Sequence, residues 1–268
     1  MDWLIEQMAK FPRPFICYTH FLPPHEPYAP RRDFAGIFKD KYTLEPKPEN
    51  SFSQKQSIRY LNQACREYDE YLAYADSEFG RLYNQIQQKG LLENTYVIIT
   101  SDHGELFERG IRGHVTSTLY EPVIHIPLLI AQPGQTQRQD VYTPTSCVDV
   151  LPTILQLAGQ EIPSWSEGQA LPLVSGTQSE GNRIVFALEA KQNSKFHPLS
   201  HATFALIEEN FKLLHYRGYT QCEDYYELFD LSSDPEELVD LYISKPSTAK
   251  DLEDHLTKKI QQINEPIG

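Results

Sequence analysis

The chain has 268 residues, 40% of them hydrophobic, and a formal net charge of −13. This balance fits a soluble globular protein with a substantial core, and it argues against nucleic acid or an anionic membrane as partner, since both need Lys and Arg to neutralise phosphates. No run of about 18 apolar residues occurs, so no segment is expected to span a membrane. An anionic substrate would have to be drawn by a local positive site, because the overall field has the wrong sign.

The first residues, Met1-Asp2-Trp3-Leu4-Ile5-Glu6, carry an early acid and no basic region, unlike a secretory signal. Trp3, Leu4, Met8 and Phe11 are spaced to line one face of a short helix ending near Pro12 and Pro14. Phe15 to Phe21 reads as a strand. Leu22-Pro23-Pro24-His25-Glu26-Pro27-Tyr28-Ala29-Pro30 follows, and four prolines in so short a span rule out a helix or an inner strand. His25 therefore sits on a stiff loop. It either contacts a substrate from that rigid support or packs between prolines, and the residues alone leave both open.

From Ile58 the apolar or small residues Ile58, Leu61, Cys65, Tyr68, Leu72, Ala75, Phe79, Leu82 and Ile86 recur in steps of three and four. That is one face of a long amphipathic helix, closed by Gly90. Asp76 lies one position off the stripe and reads as solvated or structural. Thr95 to Thr100, rich in β-branched residues, reads as a buried strand. It runs into Ser101-Asp102-His103-Gly104-Glu105. A carboxylate and an imidazole side by side at a strand end can both bind a divalent cation, one through hard oxygen and the other through a neutral ring nitrogen. Alternatively Asp102 caps a helix and His103 lies on the surface.

Leu106 to Tyr120 reads as a loop that supplies Arg109, Arg112 and His114, a positive cluster suited to an oxyanion. Val123 to Ile130 reads as a second buried strand, with His125 a core residue rather than a ligand. Asp149 to Gly159 reads as a helix with Asp149 as N-cap and Gly159 past its end. Gly168 to Gly181 is polar and irregular, which places a domain boundary there: residues 1–175 form an α/β domain and 183–268 a smaller one. In the latter, Arg183–Glu189, Thr203–Glu208, Phe211–Tyr216 and Tyr226–Phe229 read as short strands, with a hairpin turn at Glu209-Asn210. Leu252, Leu256, Ile260 and Ile263 mark a terminal helix covering that sheet. The expected fold class is α/β: a mainly parallel central sheet flanked by helices, plus a small C-terminal antiparallel sheet with one helix.

Cys17, Cys65, Cys147 and Cys222 form no Cys-x-x-Cys pair, which argues against a zinc ribbon or thioredoxin-type site. Cys17, Cys65 and Cys147 are expected as buried thiols.

Together, Pro24-His25-Glu26-Pro27-Tyr28, the helix through Asp76, Asn94-Thr95, Ser101-Asp102-His103-Gly104-Glu105, Gly113-His114, Ile126-Pro127-Leu128, Asp149 to Gly159, Glu227-Leu228-Phe229-Asp230-Leu231 and Asp234-Pro235-Glu236 resemble the sulfatase family of the alkaline-phosphatase-like superfamily. The resemblance keeps the family's motif order and covers nearly the whole chain. It implies a sulfuric ester hydrolase acting on an anionic ester. Asp102 and His103 would match the family's later pair of metal ligands, for calcium first and manganese or zinc as alternatives. His25 would match the Pro-His-x-Pro histidine that contacts the ester group, and His114 a position that binds an ester oxygen.

The sequence departs from the family pattern in one large respect. No Cys-x-Pro-x-Arg motif and no early acidic pair are present, and Cys65-Arg66-Glu67-Tyr68 is the nearest approach. The expectation is a hydrolase whose nucleophile and first ligands lie on another segment or a separate N-terminal chain, with this chain inactive alone. A phosphoryl head-group transferase or phosphoesterase of the same superfamily, and a non-catalytic remnant of the fold, are the alternatives.

Overall fold

The computed structural model describes residues 2–39, 43–171, 183–191, 193 and 198–265. They fall into two units. One comprises Met1–Ser101, Glu105–Gly113 and Pro127–Arg138; the other comprises Asp102–Gly104, His114–Ile126 and Gln139–Gly268.

In the first unit a short helix, α1 (Asp2–Met8), packs Ile5 against Leu82, Ile86 and Leu91. Trp3, expected on the packing face, is exposed, and Ile5 takes that role. The apolar stripe from Ile58 folds as helix α2 (Ile58–Gln88). Ser57 caps it by accepting the Tyr60 N–H, and Gly90 leaves it in the left-handed region at φ 67°. The stripe is buried at both ends, through Leu61, Leu82 and Ile86, while Leu72 in the middle is exposed.

After a 3₁₀ turn (Leu91–Asn94), strand β1 (Val97–Thr100) pairs antiparallel with β2 (Leu128–Ala131), with Val97 opposite Ala131. Both strands are mostly half-buried. No parallel pair occurs among the described residues, so the sheet observed here is not the mainly parallel one expected. The strand expected over 15–21 also does not form. Those residues belong to no strand, and Ile16 and Tyr18 are largely exposed. A β-prone run without a paired neighbour has no ladder to join.

The second strand expectation, Val123 to Ile130, splits in two. Pro122 sits in the first turn of a short helix, α3 (Glu121–Ile124), and pairing begins only after Pro127, at Leu128. His125 is not a core residue: it is exposed and faces Glu121 Oε2 at 3.3 Å. Cys17 and Cys147 are exposed rather than buried, Cys65 and Cys222 are half-buried, and all four are free thiols.

In the second unit the helix after Asp149 is α4 (Val150–Leu157). Its true start is Ser146, which forms a capping box with Asp149 across a 3₁₀ turn. Asp149 is fully buried. Its Oδ2 accepts from Ser146 N at 2.7 Å, while Oδ1 accepts from Gln169 N at 3.0 Å and Arg183 at 2.6 Å. Thr153, one turn on, donates to the Asp149 carbonyl and accepts from Leu171 N at 3.0 Å. The expected boundary at 168–181 lies largely outside the described residues.

The four C-terminal strands form as expected: β3 (Val185–Glu189), β4 (Ala202–Glu208), β5 (Phe211–Arg217) and β6 (Tyr225–Asp230), antiparallel in sequence order. Glu209 turns the β4–β5 hairpin with φ 53°. Helix α5 (Pro246–Asn264) lays Ala249, Leu252, Leu256 and Ile260 on Phe204, Leu206, Leu213 and Leu228. Each fully buried Leu or Phe side chain here contributes roughly 1.5–3 kcal/mol of hydrophobic stabilisation. This cluster is the core of the unit. A mixed α/β fold carrying a small antiparallel sheet and one covering helix is what the chain adopts.

Candidate metal centre

Asp102 and His103 come one and two residues after Ser101, just past the end of β1. Their donor atoms are close: His103 Nε2 lies 3.7 Å from Asp102 Oδ2. The other ring nitrogen, Nδ1, is 2.9 Å from the Gly104 carbonyl oxygen. A carbonyl can only accept, so Nδ1 carries the proton and Nε2 of the neutral ring presents a lone pair. Asp102 is exposed, and its Oδ1 accepts from the His103 backbone N–H at 3.1 Å.

His114 joins this pair. Its ring stacks on that of His103 with centroids 3.8 Å apart and planes 26° from parallel. Gly104, whose carbonyl engages His103, is itself held where its N–H donates to the Val123 carbonyl at 2.8 Å. A Cβ on residue 104 would meet the Pro122 carbonyl oxygen at 2.1 Å. Only glycine fits there, for reasons of space. The alternative in which Asp102 caps a helix does not hold, because no helix starts there.

Two donors of one cation, each about 2.0–2.5 Å from it, lie roughly 3–4 Å apart, so this separation and this tautomer suit a shared ion. The set is partial. Among the described residues no group of three or more His, Cys, Asp or Glu side chains is arranged to hold a metal.

His25 belongs to the other unit and is exposed, with Nδ1 2.7 Å from the Glu26 carbonyl. The loop carrying it is pinned. Arg112 bridges to Glu26 at 2.8 Å and lies over the rings of Tyr28 and Tyr60, at 5.4 and 5.5 Å from their centroids. Tyr28 packs edge-on against Tyr68 of α2 and Phe107, and donates to Glu105 Oε2 at 3.2 Å. Burial and the Glu105 charge push the Tyr28 phenol well above its ordinary range. Arg109 is buried, donates to the Pro48 carbonyl at 3.1 Å and lies beside Glu108. Neither arginine presents the open positive cluster read from the sequence; each is committed to a structural partner.

Cys147 is not an activated nucleophile. Partial burial, with the charges of Asp149 and Asp102, raises the Cys147 thiol above its ordinary value, the opposite of what a reactive thiolate needs.

Sequence reading missed the group that backs α3. Lys212, fully buried on β5, places Nζ 2.9 Å from Glu121 Oε1 and 2.7 Å from Glu237 Oε1. The neighbouring Tyr120 donates to Glu227, which also accepts from Tyr216 at 2.9 Å. These partners are remote in the chain, and no local motif announces them.

The sulfatase family model matches residues 1–160, and the model described as N-sulphoglucosamine sulphohydrolase, C-terminal, matches residues 115–266. Choline-sulfatase of Rhizobium meliloti (strain 1021) is 31% identical over 254 residues, covering 85% of this chain and 46% of its own. Arylsulfatase K of Homo sapiens is 32% identical over 287 residues, covering 96% and 53%. Among solved structures, one of a protein in complex with its substrate D-glucosamine-2-N,6-O-disulfate has 25% identity and a TM-score of 0.60, over 76% of this chain and 42% of that one. The protein yidJ from Bacteroides fragilis has the same fold at 20% identity, with a TM-score of 0.78 over 98% of this chain and 57% of that one. The chain spans about half the length of the curated relatives it matches. The chain belongs to the sulfatase family.

Proposed function

We propose that this chain is part of a sulfuric ester hydrolase, and that Asp102, His103 and His114 act on the sulfate group of an anionic ester. The observation that carries this reading is the 3.7 Å approach of Asp102 Oδ2 to His103 Nε2, with the ring proton fixed on Nδ1 by the Gly104 carbonyl. The sulfatase names of the similar proteins support the substrate class, and the sugar disulfate bound by one of them is compatible with it.

In this reading Asp102 and His103 hold a divalent cation, calcium first, with manganese or zinc as alternatives. When bound, such an ion neutralises charge on the ester's non-bridging oxygens. His114 donates a hydrogen bond to an ester oxygen while its ring keeps His103 oriented. His25, its Nδ1–H engaged by the Glu26 carbonyl, acts as the doubly protonated imidazolium: its Nε2–H proton passes to the leaving oxygen and the neutral ring remains. None of Cys17, Cys65, Cys147 and Cys222 stands in a Cys-x-Pro-x-Arg motif, so the nucleophile and the remaining ligands come from outside these 268 residues. In the same reading the central sheet has parallel strands beyond the antiparallel pair β1–β2, and residues 1–175 and 183–268 are two domains.

The test is hydrolysis of an aryl sulfate and of the matching aryl phosphate by the protein expressed from its own gene. Asp102→Asn and His103→Ala are assayed beside it. Sulfate release that both substitutions abolish is expected. Preferential phosphate cleavage, or sulfate release indifferent to both substitutions, overturns the reading.

A further inference from the structure

The strand end bearing Asp102 and His103 has few supports of its own. Asp102 is exposed, and the backbone anchor of the pair within this unit is the 2.8 Å bond from Gly104 N to the Val123 carbonyl. The position of the two donors is thus set by α3, which at four residues is too short to be stable by itself. Something must hold α3.

Glu121, its first residue, is the point of attachment. Glu121 Oε1 receives the Lys212 ammonium at 2.9 Å, while Oε2 faces His125 Nδ1 at 3.3 Å. Glu237 approaches the same ammonium at 2.7 Å through Oε1, and its Oε2 accepts the backbone N–H of Glu121 at 2.7 Å. Lys212 is anchored by β5, in the middle of the C-terminal sheet. One buried lysine therefore ties the sheet to both the side chain of Glu121 and, through Glu237, its backbone.

We propose that the Glu121–Lys212 ion pair, braced by Glu237, is a positioning device for the metal pair: it fixes α3, whose Val123 carbonyl holds Gly104 and thereby Asp102 and His103. Lys212 touches neither substrate nor metal in this role. A buried ion pair of this kind is weak evidence for stability alone, because desolvation offsets much of the attraction. Its geometry, terminating on the turn under Gly104, gives it a different use. The proposal rests on the assignment of Asp102 and His103 as ligands, and its test separates the two.

The measurement is amide hydrogen exchange at Gly104 together with calorimetric titration of manganese chloride into the purified chain. Glu121→Ala removes the side-chain arm of the link and leaves the arm from Lys212 through Glu237 to the residue-121 N–H; Glu121→Gln keeps a hydrogen-bond acceptor for Nζ. In Glu121→Ala, Gly104 is expected to exchange about tenfold faster while the β5 amides keep their protection, and manganese affinity is expected to fall about tenfold, the usual scale for loss of an outer support. Glu121→Gln is expected to restore most of both. Lys212→Met, combined with Glu121→Gln and Glu237→Gln to avoid stranded charges, is the second variant and is expected to loosen Gly104 in the same way. Unchanged Gly104 exchange in both Glu121→Ala and the Lys212→Met triple variant overturns the positioning role, whatever the metal does. Absence of manganese binding by the unsubstituted chain, with Gly104 exchange still responding, overturns the ligand assignment and leaves the mechanical link standing.

Discussion

The ring of His114 lies flat on the ring of His103, their centroids 3.8 Å apart. Eleven positions separate the two in sequence, so the stack is made by the loop between them returning to its start. One face of His103 is covered by His114 and its Nδ1 is engaged by a carbonyl, leaving Nε2 as the atom turned toward Asp102.

Removal of the covering ring is expected to loosen His103. His114→Ala should weaken manganese or calcium binding by about tenfold, within the range seen when outer partners of a metal-bound histidine are lost. His114→Phe, which keeps a ring in place, should recover most of the affinity. Calorimetric titration of both variants checks this. Because the proposed site has two ligands, and no group of three or more candidate side chains occurs among the described residues, the absolute calcium affinity of the chain should lie near the millimolar range of loosely liganded sites. A micromolar value contradicts it.

Gly104→Ala is expected to cost about 2–4 kcal/mol of stability, since the new methyl group meets a fixed backbone carbonyl. Urea unfolding of the variant beside the unsubstituted chain measures it. A cost under about 0.5 kcal/mol, the scale of a neutral surface change, contradicts the contact.

His215 predicts a pH dependence. Its ring is buried on the helix-facing side of the C-terminal sheet, stacked on Tyr226 at 4.1 Å, and burial pushes its pKa down to about 4. The unfolded chain takes up this proton near pH 6.5, the folded chain only near pH 4. A histidine held neutral therefore supports the fold fully above about pH 6.5, and that contribution falls steadily as pH drops toward 4. Residual solvent screening reduces the loss to an order of 2–3 kcal/mol. Urea midpoints measured from pH 7.5 to 4.5 should decline, and His215→Phe, which keeps the stacked ring, should flatten that part of the decline. An equal slope in the two proteins rejects the assignment.

Arg112 should prove irreplaceable by lysine. Its planar guanidinium spans Glu26 and the faces of Tyr28 and Tyr60, a geometry an ammonium cannot copy. Arg112→Lys is expected to destabilise the first unit by about 1–2 kcal/mol and to speed proteolytic cleavage within residues 22–30. Cleavage at the unsubstituted rate counts against the clamp.

The sequence was most legible where local pattern and tertiary environment agree. The steps of three and four from Ile58 mark α2, and alternation with a tight turn at Glu209-Asn210 marks the β4–β5 hairpin. It was least legible where a segment needs a distant partner. Residues 15–21 carry β-branched and aromatic side chains but pair with nothing among the described residues, so propensity alone misled. At residues 121–127 two prolines decide the outcome: Pro122 opens a helical turn, and Pro127 delays the strand. Asp149 does stand directly before α4 but makes no cap bond to it; Ser146, three residues earlier in capping-box spacing, closes the start instead, and that spacing is visible in the sequence. For the site, Ser101 to Glu105 and Gly113-His114 were visible as motifs. The Lys212 and Glu227 networks were not, because a buried lysine in a strand looks like any solvent-facing one until the partner carboxylates are known.

Asp149 accepts from the backbone N–H groups of Ser146 and Gln169 and from the Arg183 guanidinium, and Thr153 one turn on accepts from Leu171. Three stretches of chain thus converge on one buried carboxylate, and the start of α4 doubles as the fastening of the irregular segments around it.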